Sequence, residues 1–306
     1  MMKVLIVNPV HEILIEKLRR YGLNVTYKPR ISRDELLSII GDYEVLVVRS
    51  RTRVDRELLE HGVKLKIVAR AGSGTDNIDT GYARRLGVKV INVPEAPVES
   101  VSELTIALII LACRRIIEAY NMVKRGEWFR PMGYEVYGKT LAIIGLGRIG
   151  SRVAEIAKVL GMRVIAYDIA DVTDKARRIG VEIVSSLHDA LKVADIVSLH
   201  VPLKNDTYHM ISWREFKVMK RGCILVNTAR GALVDPEALL WALDNGIVSV
   251  AVLDVLEEEP PKSPILKKLV NHRKVIVTPH LGSQTYEAQE RIGRLLADKI
   301  VEALRS

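Results

Sequence analysis

A chain of 306 residues, 48% hydrophobic but only 5% aromatic, has enough apolar material for two domains with cores of Val, Ile, Leu and Ala, which suits buried parallel strands flanked by helices. Cys113 and Cys223 lie in separate apolar runs and read as small core residues of a reducing, cytoplasmic protein; no apolar stretch reaches the ~20 residues that span a bilayer, and the N-terminus lacks a secretory pattern. The net charge of +9 is scattered over helix faces and offset locally by acids, as in RELLEHGVKLK, so nucleic acid is not indicated while an anionic small molecule is compatible.

The N-terminal part alternates short β-branched runs with helical patterns: a strand at Val4 to Val7, a helix from His11 to Tyr21, a strand at Val45 to Val48, then KIVAR and VKVINV. This predicts a small parallel-sheet domain. A long helix is expected from Val101 to about Lys124, with Ser100 or Ser102 as its N-cap. The stretch RGEWFRPMGYEVYGK that follows has no clean period and is expected to pack on something outside its own domain.

From Thr140 a second alternation runs through LAIIG, RVIAY, VEIV, DIVSLHV, CILVNTA, VSVAVLDV and KVIVTP, with helical stretches such as SRVAEIAKVL and PEALLWALDNG between them. Strand, crossover helix and strand repeated in this way predict a doubly wound sheet. A final helix from about Ser283 to Arg305 is expected to cross back to the first domain. The expected division is residues 98–283 for one domain and residues 1–97 plus 284–306 for the other.

Within TLAIIGLGRIGSRVAEIAKVLGMRVIAYD, Gly145, Gly147 and Gly150 stand directly after a strand and at the opening of a helix. Their tasks are a tight turn, close approach of backbone to a pyrophosphate, and close packing of helix on strand. The amides of Arg148 and Ile149 would face the pyrophosphate with the helix dipole behind them. Asp168 ends the second strand, where its carboxylate can accept both ribose hydroxyls and repel a 2′-phosphate. NAD is therefore expected rather than NADP, and no metal is expected.

Arg230, Glu259 and His280 each follow an expected strand of this domain, and strand carboxyl ends converge on the cofactor crevice of an open α/β sheet. Arginine can grip a substrate carboxylate at two points, histidine can exchange a proton with the reacting oxygen, and glutamate can orient and stabilise the imidazolium. The remaining histidines read as surface or local-packing residues, with His200 structural near the adenosine side.

Through GLGRIG, HVPLKNDT, NTARGALVD, AVLDVLEEEP and TPHLGS the sequence resembles the D-isomer-specific 2-hydroxyacid dehydrogenase family, over nearly its whole length. The resemblance implies a Rossmann NAD-binding domain and a smaller flavodoxin-like substrate domain. It makes Arg230, Glu259 and His280 catalytic and singles out Glu259 from its neighbours Glu257 and Glu258. It also implies NAD contacts at Arg148, Ile149, Asp168, Thr228, Asp254, His280, Gly282 and Ser283.

The first-domain loops VVRSRTRV and RAGSGTDNID resemble those of phosphoglycerate dehydrogenases, which implies substrate binding by Arg49, Ser73, Gly74 and Arg230 and oxidation of D-3-phosphoglycerate in serine biosynthesis. Backbone amides at Ser73 and Gly74 would take the carboxylate. A glyoxylate or hydroxypyruvate reductase shares the same catalytic set. NAD-sensing corepressors, which act mainly by binding proteins, also resemble this scaffold. The family implies a homodimer built on the long helix and the following arm around Trp128 and Phe129. The chain ends shortly after the histidine motif, so serine feedback through a regulatory extension is not expected.

Overall fold

A computed structural model describes Met1 to Arg305. It divides into two compact units, one formed by Met1–Pro97 with the stretch from Ser283 onward, the other by Val98–Gly282. Ser283, placed with the nucleotide domain by its motif, falls in the first unit.

The first unit holds strands β1 (Lys3–Ile6), β2 (Asn24–Tyr27), β3 (Val45–Val48), β4 (Ile67–Arg70) and β5 (Lys89–Asn92), with helices α1 (Glu12–Arg20), α2 (Arg33–Ile39), α3 (Arg56–His61) and α4 (Thr80–Arg85) between them. All pairs are parallel, in the order β2-β1-β3-β4-β5. All four residues of the central strand β3 are buried, which is what an uninterrupted VLVV run demands when helices cover both faces. β2 was not expected from the sequence. It is an edge strand with none of its four residues buried, so neither a continuous apolar run nor a clean alternation marks it.

The second unit holds α5 (Val98–Cys113), α6 (Ile116–Lys124), β6 (Thr140–Ile144), α7 (Arg148–Val159), β7 (Arg163–Tyr167), α8 (Thr173–Ile179), β8 (Glu182–Ile183), α9 (Leu187–Val193), β9 (Ile196–Leu199), α10 (Trp213–Val218), β10 (Cys223–Asn227), α11 (Pro236–Asp244), β11 (Val248–Leu253), α12 (Pro264–Val270) and β12 (Val275–Val277). Its sheet has the order β12-β11-β10-β9-β6-β7-β8. The chain winds outward from β6 through β7 to β8, then returns to the other side of β6 with β9. The carboxyl ends of β6 and β9 therefore form the topological switch point, where α/β sheets bind ligands.

The helix expected from Val101 to Lys124 is two helices, broken where Arg115 takes a left-handed φ of 52°. The reason lies in the following arm. The amide of Tyr134 donates to the carbonyl of Cys113 at 2.8 Å, satisfying the end of α5 from outside the helix. Neither Ser100 nor Ser102 is an N-cap: both are buried inside α5, which starts at Val98, and the Ser100 hydroxyl donates to the carbonyl of Gly282 at 2.7 Å. α5 is buried on most sides, whereas α6 has no buried residue.

The last helix, α13 (Tyr286–Arg305), belongs to the first unit and packs on α1, β4 and β5. Its Ile292, Leu296, Ala297 and Ile300 join Val4, Ile6, Leu14 and Leu18 in one core. Gly293 permits the close crossing, since a β-carbon there would lie 2.7 Å from Ile13 Cγ2. Among the described residues, no helix is long and apolar enough to cross a membrane.

Candidate active site

The turn joining β6 to α7 is shaped by three glycines with three different local reasons. Gly145 has a φ of 96°, and a β-carbon there would meet the His200 carbonyl at 2.8 Å, so both conformation and packing require glycine. A β-carbon on Gly150 would overlap the Gly145 carbonyl. Gly147, the N-cap of α7, has an ordinary φ of −72° and nothing within 4 Å of where its β-carbon would sit. Neither the fold nor a neighbour requires glycine at position 147. The space is open at the positive end of a 12-residue helix, as close approach by a pyrophosphate needs.

Asp168 stands beside this turn with its carboxylate fixed: Oδ2 accepts the Leu146 amide at 2.8 Å and Oδ1 the Ala170 amide at 3.0 Å. Each oxygen keeps lone-pair capacity for a ribose hydroxyl. Lys175 Nζ holds the same turn from the other side by donating to the Leu146 carbonyl at 2.9 Å. The residues present fit a dinucleotide. Burial pushes the nearby His200 imidazole down to about 4, so it sits there neutral, bonded through Nε2 to the Ser198 hydroxyl at 2.8 Å.

Past the carboxyl ends of β10, β11 and β12 the structure brings together the three residues picked from the sequence. His280 Nδ1 lies 2.8 Å from Glu259 Oε2, and Glu259 Oε1 accepts the Leu256 amide at 3.1 Å. Burial works to raise the Glu259 carboxyl, but the His280 hydrogen bond and charge, the Leu256 amide and the charge of Arg230 together hold it below the ordinary value. The two side chains are 40% and 39% exposed, so a small molecule can reach the pair. His280 has a left-handed φ of 56°, fixed by its amide donating to the carbonyls of Asp254 and Thr278.

Glu258 and Glu257 do not share this position. Glu258 accepts the amides of Lys262 and Ser263 at 3.0 Å each, and Glu257 accepts the Tyr208 hydroxyl at 2.9 Å. Thr228 and Asp254 turn out to be engaged within the protein. The Thr105 hydroxyl donates to the Val101 carbonyl at 2.7 Å, so in the 2.9 Å Thr105–Thr228 contact Thr228 is the donor. Asp254 is buried and its carboxylate accepts Thr278 Oγ1, the Leu281 amide and the Gly282 amide at 2.5, 2.8 and 3.0 Å. Burial pushes this carboxyl up, against those bonds. Asp254 therefore pins the loop carrying His280. Arg230 is set in a similar way by Asn227, whose side chain binds both the Ala229 amide and the Arg230 carbonyl. Asn227 was missed from the sequence although it opens the NTARG motif; an asparagine closing the apolar run CILV was the available signal, since a polar group at the end of a buried strand needs partners.

In the first unit, Arg49 follows β3 and the Ser73–Gly74 turn follows the adjacent strand β4. Asn8 Oδ1 accepts the Arg49 amide at 2.6 Å and the Thr52 hydroxyl at 3.1 Å, while Asn77 Nδ2 donates to the carbonyls of Arg49 and Thr52. The Asn92 side chain donates to the Ser73 carbonyl. Three asparagines thus shape the two loops. Burial and the charge of Arg51 lower the Arg49 pKa, which marks a cation partly withdrawn from water.

Residues 106–282 match the family described as D-isomer specific 2-hydroxyacid dehydrogenase, NAD binding domain. A hydroxypyruvate reductase from Thermotoga maritima is 45% identical over 290 residues, covering 94% of this chain and 93% of that protein. The chain belongs to the D-isomer-specific 2-hydroxyacid dehydrogenase family. Its similarity extends to a D-3-phosphoglycerate dehydrogenase from Methanocaldococcus jannaschii, 45% identical over 307 residues, which are 100% of this chain and 58% of the relative. A second phosphoglycerate dehydrogenase, from Archaeoglobus fulgidus, is spanned to 57%, so the chain covers less than three fifths of these two proteins. A solved D-lactate dehydrogenase from Aquifex aeolicus in complex with NAD and lactic acid superposes with a TM-score of 0.86 at 30% identity, over 99% of this chain and 95% of that one.

The glycine turn, Asp168 and all three of Arg230, Glu259 and His280 lie within the dehydrogenase family's NAD-binding domain. Of the residues singled out for NAD, Ser283 alone lies beyond its last matched position. NAD is the cofactor of this binding domain, and the open surface at Gly147 beside a fixed Asp168 is the local chemistry that suits it.

Proposed function

We propose that this protein oxidises D-3-phosphoglycerate to 3-phosphohydroxypyruvate with NAD. The observation that carries the reaction class is the 2.8 Å His280–Glu259 pair with the Arg230 charge beside it, at the strand ends of the NAD-binding domain. Bound NAD supplies a hydride acceptor at its nicotinamide. His280 Nε2 takes the hydroxyl proton of the substrate while Nδ1 stays on Glu259, which stabilises the imidazolium so formed. Arg230 binds the substrate carboxylate, and Arg49 with the Ser73–Gly74 amides receives the other anionic parts.

The phosphorylated substrate is supported by the phosphoglycerate dehydrogenase relatives and by Arg49, a partly withdrawn cation held by Asn8 and Asn77. A hydroxypyruvate reductase is the second reading, supported by the Thermotoga maritima relative at the same identity. A panel of D-3-phosphoglycerate, D-glycerate, D-lactate, glyoxylate and hydroxypyruvate with each cofactor decides between them. Replacing Arg49 by Ala removes a charged hydrogen bond of roughly 1.5 to 3 kcal/mol, so kcat/KM for 3-phosphoglycerate falls about ten- to a hundredfold while D-glycerate is largely spared. Equal losses on both substrates overturn the phosphate role.

A homodimer fits the exposed apolar side of α6, with Ile116, Tyr120 and Val123, and the arm carrying Trp128, Phe129 and Met132. Light scattering on the parent protein and on Phe129→Glu tests it, with a shift toward monomer expected in the variant.

A further inference from the structure

Glu257 stands two residues before Glu259 and faces a cluster of its own. Its Oε1 accepts the Tyr208 hydroxyl at 2.9 Å and lies 3.5 Å from His209 Nε2. The Tyr208 and His209 rings stack with centroids 4.0 Å apart. His209 Nδ1 lies 4.0 Å from Asp235 Oδ2, which also accepts the Ser212 hydroxyl at 2.9 Å. The charged or titratable groups facing the His209 ring are therefore Glu257, Asp235 and the Tyr208 phenol. The bond to Glu257 holds the phenol above its ordinary value, in keeping with Tyr208 as the donor of that bond. His209 itself has a left-handed φ of 49°, a conformation that persists in a residue with a β-carbon only where its surroundings impose it.

The backbone carries this cluster to the active site. His209 N donates to the Ala232 carbonyl at 2.8 Å and Ile211 N to the Leu233 carbonyl at 3.0 Å, so the segment runs beside the turn that follows Arg230. A β-carbon on Gly231 would overlap the backbone of Leu256 and Glu257, so the chain after Arg230 rests directly on the chain before Glu259. Leu256 N then donates to Glu259 Oε1 at 3.1 Å.

We propose that Tyr208, His209 and Glu257 form a clamp that sets the angle at which Glu259 meets His280 and keeps Arg230 in register with it. They act as positioning residues, through Glu259 and Arg230. The inference rests on the reading of Glu259 and His280 as the proton-handling pair.

The test is the pH profile of kcat/KM for hydroxyacid oxidation in Tyr208→Phe, Glu257→Ala and Glu257→Gln. A loosened Glu259 stabilises the protonated imidazole less, so the acid limb moves to lower pH in the Phe and Ala variants by about half a unit, the direction expected for Glu259→Gln but smaller. kcat falls about three- to tenfold, with the KM for NAD held within about twofold. Glutamine keeps an acceptor for the Tyr208 hydroxyl and recovers most of the shift. Tyr208 is half exposed, so its loss of one hydroxyl leaves a folded protein to measure. An unmoved acid limb in the Phe and Ala variants, even with reduced kcat, overturns the clamp, as does a Gln variant displaced as far as Ala. If His280→Ala keeps normal turnover, the underlying reading fails instead.

Discussion

Adding one methyl group at Gly147 separates cofactor binding from folding, and the expected sizes follow from the turn's geometry. The would-be β-carbon has nothing within 4 Å and the φ of −72° suits any residue, so Gly147→Ala changes stability only by the N-cap preference of glycine over alanine, roughly 1 kcal/mol at most. The same methyl occupies the space a pyrophosphate needs to reach the first amides of α7. Displacing one charge-assisted hydrogen bond costs about 1.5 to 3 kcal/mol, so the Kd for NAD rises about ten- to a hundredfold. Gly150→Ala is the opposite case. Its methyl overlaps the Gly145 carbonyl and lies 3.1 Å from Ile143 Cγ2, so α7 must move off the sheet and stability falls by roughly 1 to 3 kcal/mol or more. Fluorescence titration of NADH and urea unfolding on both variants make the comparison. A Gly147→Ala protein that binds NADH as tightly as the parent would falsify the cradle, and a Gly150→Ala protein of parental stability would refute the packing argument.

Replacing His280 by Ala removes most turnover with NADH binding nearly intact, and Glu259→Gln moves the acid limb of kcat/KM to lower pH by removing the negative charge beside the imidazole; parental kinetics in either variant count against the pair. Asp168→Ala narrows the preference for NAD over NADP, measured as the ratio of the two dissociation constants, and an unchanged ratio removes Asp168 from cofactor selection. His200 makes stability depend on pH. Its native value of about 4 lies below its unfolded 6.5, so the unfolded chain takes the proton first, and stability present above pH 6.5 is lost as pH falls toward 4. The gap is worth about 3 kcal/mol at full effect and about 2 at pH 5; urea midpoints at pH 7 and 5 test it, with a flatter dependence expected in His200→Asn and an identical one refuting the assignment.

The sequence by itself determined the two alternating βα patterns, the glycine turn and the strand-end placement of Arg230, His280 and the run of three glutamates, because each is written in local terms: uninterrupted β-branched runs, glycines at fixed spacing, and polar residues directly after strands. Edge strand β2 escaped because a strand that buries none of its residues needs no apolar signature. The break at Arg115 escaped because the group that ends α5 is the Tyr134 amide, many residues further along the chain. Which of three consecutive glutamates serves His280 was equally beyond composition. Only the tertiary structure decided it, by turning Glu257 toward Tyr208, Glu258 toward the start of α12 and Glu259 toward His280, and by spending Asp254 and Asn227 on holding the loops of His280 and Arg230. A side chain's neighbours in space depend on where separate strands end, and that is a property of the sheet rather than of any stretch of the chain.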